Sequence, residues 1–182
     1  MRESRPLTDK VVPIARPWCL LRESDLARLV ARHEDVGRLC DQLEACADAL
    51  PVWPTRAEVE QLCEALADFI GREAGPDSGL MADLFGPGRR DPLAASLMRH
   101  VEVCHTADLI HAQDLVAALR AGPAPKGRIA AETLGYMLRC FFKACRQLLA
   151  FEELAILVLS QHRLTARGRS MLVDSLCRRR AA

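Results

Sequence analysis

Apolar residues recur at three- and four-residue steps through four long stretches of the chain, the spacing of amphipathic helices. The first stripe is Leu26, Leu29, Val30, His33, Val36, Cys40, Leu43, Ala47 and Leu50. Ser24 is its predicted N-cap, and Pro51 with Pro54 ends it. A second helix is predicted from Thr55, where Thr55-Arg56-Ala57-Glu58 has the form of a capping box. Its stripe is Val59, Leu62, Cys63, Leu66, Phe69 and Ile70, and the breakers Gly75-Pro76-Asp77-Ser78-Gly79 stop it. Asp91-Pro92 opens a third helix with Leu97, Val101, Cys104, His105, Asp108, Ala112, Leu115 and Leu119 on one face. A fourth is predicted from about Arg128 to His162, carrying Leu134, Leu138, Phe141, Cys145, Leu148, Glu152, Ile156 and Leu159. Thr165 caps a short last helix with Met171, Leu172 and Leu176, which ends in Arg178-Arg179-Arg180. Pro6, Pro13 and Pro17 mark the start of the chain as extended, with Trp18 and Leu20 expected to tuck its end against the body. No β-type alternation of useful length occurs. The pattern therefore predicts an all-α protein, an antiparallel four-helix bundle. Residues 1–21 form an N-terminal arm, 22–164 the bundle, and 165–182 a short C-terminal helix with a basic tail.

Composition narrows the function classes. The 182 residues are half hydrophobic and carry 25 Lys and Arg against 24 Asp and Glu, a net charge of +1. That balance argues against sequence-independent binding to nucleic acid, which needs a cationic surplus. No apolar run approaches the roughly 20 residues that cross a bilayer; Leu148–Leu159 is interrupted by Glu152 and Glu153. The start Met1-Arg2-Glu3-Ser4-Arg5 leads into polar sequence rather than an apolar signal core. A cytoplasmic protein is expected. Eight cysteines include no Cys-x-x-Cys pair, and none has zinc-finger spacing to a His. Most sit among Leu, Ala and Val, where a thiol packs as a small hydrophobe.

Candidate chemistry lies where polar residues interrupt the apolar stripes. His33, His105, Asp108 and Glu152 do so from three helices. A buried carboxylate needs a donor, a metal ion or a raised pKa, and His with carboxylate is a common set for iron, manganese or zinc. The alternative is a hydrogen-bonded core histidine and its acceptor. Asp108, one turn from His105, is either a ligand or the group that orients that imidazole. His100 falls elsewhere on its helix, His111 and His162 have polar neighbours, and Cys104 and Cys145 are packing residues before they are soft ligands. The arginine tail reads as a solvated end.

Several segments resemble bacterial hemerythrin-like (HHE cation-binding) domains. Leu29-Val30-Ala31-Arg32-His33-Glu34-Asp35 with Leu39–Pro51 resembles the family's first helix. Met81-Ala82-Asp83-Leu84-Phe85 resembles the end of its second-helix motif, and Phe151-Glu152-Glu153-Leu154-Ala155-Ile156-Leu157 its fourth. The resemblance spans residues 22–180. It implies a four-helix bundle built around a non-heme di-iron centre, with roles in oxygen or nitric oxide sensing, oxygen binding or iron handling. Aligned with that pattern, His33, His105 and Glu152 keep ligand positions. The second-helix His falls at Pro76 or Asp77, its Glu at Leu80 or Met81, and the fourth-helix His at Leu148. Leu and Met cannot bridge two irons, so no di-iron centre is expected. His33, His105 and Glu152 remain for one iron or other divalent ion, with Asp108 or Asp77 completing the shell, or for a metal-free cluster.

The leading expectation is a degenerate hemerythrin-like, non-enzymatic protein acting on a protein partner as a regulatory or interaction module. Trp18, Trp53, Leu80, Met81 and Phe85 supply its candidate apolar patch. The alternative is a mononuclear iron protein that senses oxygen or nitric oxide or handles iron. A cysteine redox sensor using Cys104, Cys140 or Cys145 is a third. No phosphate loop or nucleophile elbow suggests a hydrolase or transferase.

Overall fold

The computed structural model describes residues 20–73, 81, 92–123 and 129–181. These form five α-helices: α1 Glu23–Ala49, α2 Arg56–Glu73, α3 Pro92–Ala121, α4 Ala131–Leu159 and α5 Ala166–Ala181. No strand occurs among the described residues. The fold is an all-helical bundle.

The local chemistry of the helix ends explains most of these boundaries. Thr55 and Glu58 form the reciprocal box: the Thr55 amide donates to Glu58 Oε2 (2.7 Å) and the Glu58 amide to Thr55 Oγ1 (3.3 Å). The Thr55 hydroxyl, which also donates to Glu58 Oε2 (2.7 Å), and the Thr55 amide hold the Glu58 carboxyl below the usual carboxylate range. α3 begins on Pro92, whose missing N–H would have had no helical partner. It ends before Gly122, which takes the left-handed conformation at φ 71°. At α5 the Gly168 amide donates to Thr165 Oγ1 (2.9 Å), the expected cap.

Two predicted ends move. α1 starts a residue before Ser24; its N-cap is Arg22, which offers no side-chain cap, while Glu23 and Asp25 place negative charge on the first turn. α4 begins at Ala131 and ends at Leu159, inside the predicted span of 128–162. A 3₁₀ turn over Gln161–Arg163 replaces its last turn, with the Arg163 amide donating to the Ser160 carbonyl (2.7 Å).

α4 is the common wall: α1, α3 and α5 all pack against it, and α2 packs on α3. α1 and α2, although joined by a short turn, meet along far less of their length. Two apolar clusters fill the interior. The larger includes Val36, Cys40, Leu43, Leu66, Phe69, Leu115, Leu119, Leu138, Phe141 and Cys145, with Phe69 and Phe141 edge to face (5.6 Å between centroids). The smaller gathers Leu21, Leu26, Leu29, Val30, Met81, Ile156, Leu164 and Leu172 where α1, α4 and α5 meet.

The tucked residue is Leu21, not Leu20. Leu21 is buried and its amide donates to the Arg163 carbonyl (2.8 Å), whereas Leu20 is 60% exposed. Leu21 enters the small cluster because the chain is pinned there edge-on to the 3₁₀ turn. Trp18 and the rest of the predicted arm lie outside the described residues. Cys40, Cys63 and Cys145 are buried free thiols, as core packing requires. Among the described residues no helix is long and apolar enough to cross a membrane.

Phe141 is fully buried at the centre of the larger cluster. Phe141→Ala is expected to lower unfolding free energy by about 3–5 kcal/mol in urea titrations, the loss of a large core ring plus the cavity left behind.

Candidate functional site

Between the two apolar clusters lies a layer of charged side chains. On α1, His33 falls between Val30 of one cluster and Val36 of the other; on α4, Glu152 and Glu153 fall between Leu149 and Ile156. The register of each helix thus delivers one polar step into an otherwise apolar stripe, all at the same level.

Glu152 is the hub. Its Oε2 lies 2.8 Å from His33 Nε2 and its Oε1 lies 2.6 Å from His105 Nε2. Each imidazole then reaches a second carboxylate through Nδ1: His33 to Glu153 Oε1 at 2.7 Å, and His105 to Glu73 Oε2 at 2.8 Å. Arginines close both ends. Arg32 Nε donates to Glu73 Oε1 (3.1 Å), and Arg179 pairs with Glu153 Oε2. The Ser175 hydroxyl adds a bond to Glu153 Oε1 (3.0 Å). The result is one chain of alternating sign: Arg32, Glu73, His105, Glu152, His33, Glu153, Arg179. All five helices contribute to it.

An ionised carboxylate only accepts, so an imidazole between two ionised carboxylates donates from both nitrogens and is an imidazolium. For His105, burial works against the charge, but the bonds to Glu152 and Glu73 outweigh it and raise its pKa to about 10. His33 is opposed more strongly by burial, and its bonds to Glu152 and Glu153 still hold it above the ordinary value. Burial alone would push Glu152 up; the two imidazolium donors bring it instead down to about 2. Glu73 and Glu153 are lowered against burial in the same way, by His105 with Arg32 and by His33 with Arg179.

Of the sequence-predicted residues, the structure brings together His33, His105 and Glu152. His33 and Glu152 are buried, and the His105 side chain keeps a 25% opening to solvent. Asp108 is buried but turns to a different neighbour. Burial raises its pKa to about 6, with the Cys145 thiol and the His105 charge pulling the other way. The Cys145 thiol is itself pushed up by its contact with Cys40 and by burial. Cys104 lies instead 3.6 Å from His100, whose ring stands edge to face with Phe151. His111 and His162 are exposed, and Leu148 is buried. Asp77 and Leu80 lie outside the described residues.

Five participants were not on the predicted site: Arg32, Glu73, Glu153, Ser175 and Arg179. A signal existed for two of them. Glu73 continues the α2 stripe one turn beyond Phe69 and Ile70, and it is buried. Glu153 is the immediate neighbour of Glu152, and the two carboxylates hold His33 by its two nitrogens. Arg179 corrects the reading of the tail as a solvated end: it caps a buried carboxylate, and Arg178 reaches Glu34 on α1 (2.9 Å). Met81 is likewise buried in the small cluster rather than exposed in an apolar patch, because its side chain packs where α1, α4 and α5 converge. Trp53 is half-buried; Trp18 and Phe85 lie outside the described residues.

The donor types suit iron, manganese or zinc. The two Nε2 atoms address opposite oxygens of Glu152 rather than one point. Among the described residues no three His, Cys, Asp or Glu side chains converge as metal ligands.

Comparison of the chain with family models, with curated proteins and with solved structures finds no match in any of the three.

Two outcomes follow from the charge chain. A group whose folded pKa is raised stabilises below its unfolded value and loses that contribution as pH climbs through the folded value. The His105 contribution should therefore be intact below pH 6.5 and gone near pH 10. Unfolding midpoints in urea should fall across that window, and His105→Gln should flatten the fall. Glu152→Gln leaves buried imidazole nitrogens facing an amide and should cost about 3–5 kcal/mol by the same measurement, as removal of one member of a buried pair does.

Proposed function

We propose that this protein is an antiparallel four-helix bundle of the hemerythrin-like type that has exchanged its metal centre for a proton-held charge layer, and that it acts as a regulatory or protein-interaction module. One observation carries this reading. Both ring nitrogens of His33 and His105, and all six oxygens of Glu73, Glu152 and Glu153, already have partners within the chain. The four imidazole nitrogens, each spent on an N–H bond to a carboxylate, have no lone pair to offer a metal until those protons leave. The arginines reinforce the point. Arg32 and Arg179 supply permanent positive charge where a metal-binding core would leave its carboxylates to the cation.

Such a core contributes stability and orientation, and leaves function to the surface. The surface is not uniformly polar. Val103 and Ile110 on α3, Tyr136 and Val158 on α4, and Val52 in the first turn are each more than half exposed. A bundle whose inward charged groups pair with one another and whose surface carries exposed apolar positions fits a protein that works by contact.

The test is elemental analysis of protein purified anaerobically from cells grown with added iron, together with its absorption spectrum. Far less than one metal ion per chain, with a helical circular dichroism spectrum, is the expected result. One ion per chain that is lost in His105→Ala would establish the mononuclear alternative, with sensing or iron handling as its role. Two irons per chain with oxo-bridge absorption would overturn both.

A further inference from the structure

A groove of about 910 Å³ runs between the C-terminal half of α1, the turn after it, and α2. It lies along the seam between two helices that meet along far less of their length than α1 and α4 do. Its floor is small and apolar: Ala45, Cys46, Ala49, Leu62 and Ala65, with Trp53 at the turn end. Alanines of this kind let another backbone approach closely. The Cys46 thiol is pushed up, chiefly by burial, and so offers packing rather than a thiolate.

The charge of the groove selects its occupant. Glu58, Glu64 and Asp68 rim it along α2, all exposed, and no Lys, Arg or His is among its lining residues. From Glu58 to Asp68 the rim extends about 15 Å, at 1.5 Å per residue, which matches nearly three turns of a docked helix. The carboxylates stand six and four residues apart along that bank. A free-standing apolar pocket would favour a small neutral ligand. An open, elongated trough with an aromatic end and one acidic bank favours a segment with an apolar face and cationic flank.

We propose that the α1–α2 groove is a docking site for a basic amphipathic helix of a partner protein, laid with its apolar face on Ala45, Ala49, Leu62 and Ala65 and its Lys or Arg flank against Glu58, Glu64 and Asp68. This rests on the reading of the chain as an interaction module and names the surface that module uses.

The probe is a pair of synthetic helical peptides of about 18 residues, identical in their leucine and alanine face and differing only in a Lys or a Glu flank. Binding is read as the emission change of Trp53 in the full chain carrying Trp18→Phe. The Lys-flanked peptide is expected to bind and the Glu-flanked one not. Glu64→Lys with Asp68→Lys should weaken the complex by about tenfold, the effect of reversing two exposed contacts. Ala49→Trp, which fills the floor without touching the charged rim, should also abolish it. Equal binding of both peptides, or binding that survives Ala49→Trp, overturns the proposal, as does no binding at all. Photo-crosslinking in cells from position 49 and from position 110 on α3 separates the failures. Adducts at 110 alone reject the groove and leave the interaction module standing. Adducts at neither reject both. Adducts at 49 that map to residues 1–19 of this chain, or to a second copy, replace the partner helix with an internal or dimeric occupant and overturn the proposal in that form.

Discussion

Three carboxylates cannot share the interior of one small bundle unless something cationic stands between them. Here the cations are two imidazolium rings and two guanidinium groups, threaded so that no two like charges are adjacent. Glu152, 2% exposed, depends wholly on His33 and His105, and each ring depends in turn on a further carboxylate. Desolvation opposes the charge of each histidine and glutamate in the chain, and hydrogen bonding to the charged form overcomes it. The layer is worth little as raw stability, since apolar residues of similar volume often do as well. What it supplies is selectivity of packing. A one-turn slip of any helix would leave a charge buried without its partner.

That selectivity reaches parts of the fold the apolar clusters leave loose. α5 has a weakly amphipathic sequence and few apolar residues, of which Leu172 alone is fully buried. Its place against α1 and α4 is set by Ser175 and Arg179 on Glu153, and by Arg178 on Glu34. α2, which meets α1 only slightly, is tied to it near its C-terminal end by Arg32 with Glu73 and by Arg72 with Asp35 (2.8 Å). At the other end the two helices are joined by the turn that carries Trp53, and among the described residues no ion pair crosses the groove there. The open trough and the closed layer are therefore two consequences of one asymmetry between α1 and α2.

The division also separates roles. The charge layer is internal and answers to pH through groups that are buried and mutually paired. The groove is external, acidic along one bank, and lies toward the opposite end of α1 from the small cluster around Leu26 and Leu29. A partner at the groove would meet Trp53 and the alanines without disturbing His33 or Glu152.

The helices, their caps at Thr55 and Thr165, and the burial of His33 and Glu152 were legible in the sequence because each is a local or periodic property. A capping box needs four consecutive residues, and an apolar stripe needs only the 3.6-residue repeat. His105 and Asp108 were legible as inward-facing for the same reason. Which of them would meet Glu152 was not, because partnership between helices depends on register and rotation that no single helix encodes. Arg179 and Ser175 stand on a helix whose pattern is faint, so their inward role emerged only once α5 was laid against α4. Glu73 continued its stripe visibly, yet a carboxylate at a helix end reads as solvated until Arg32 and His105 are placed beside it. Sequence alone thus determined the helices and the inward positions of their apolar stripes. Tertiary structure decided which charges meet, because only packing brings groups from five helices within the 3 Å at which a hydrogen bond can offset the cost of burying them.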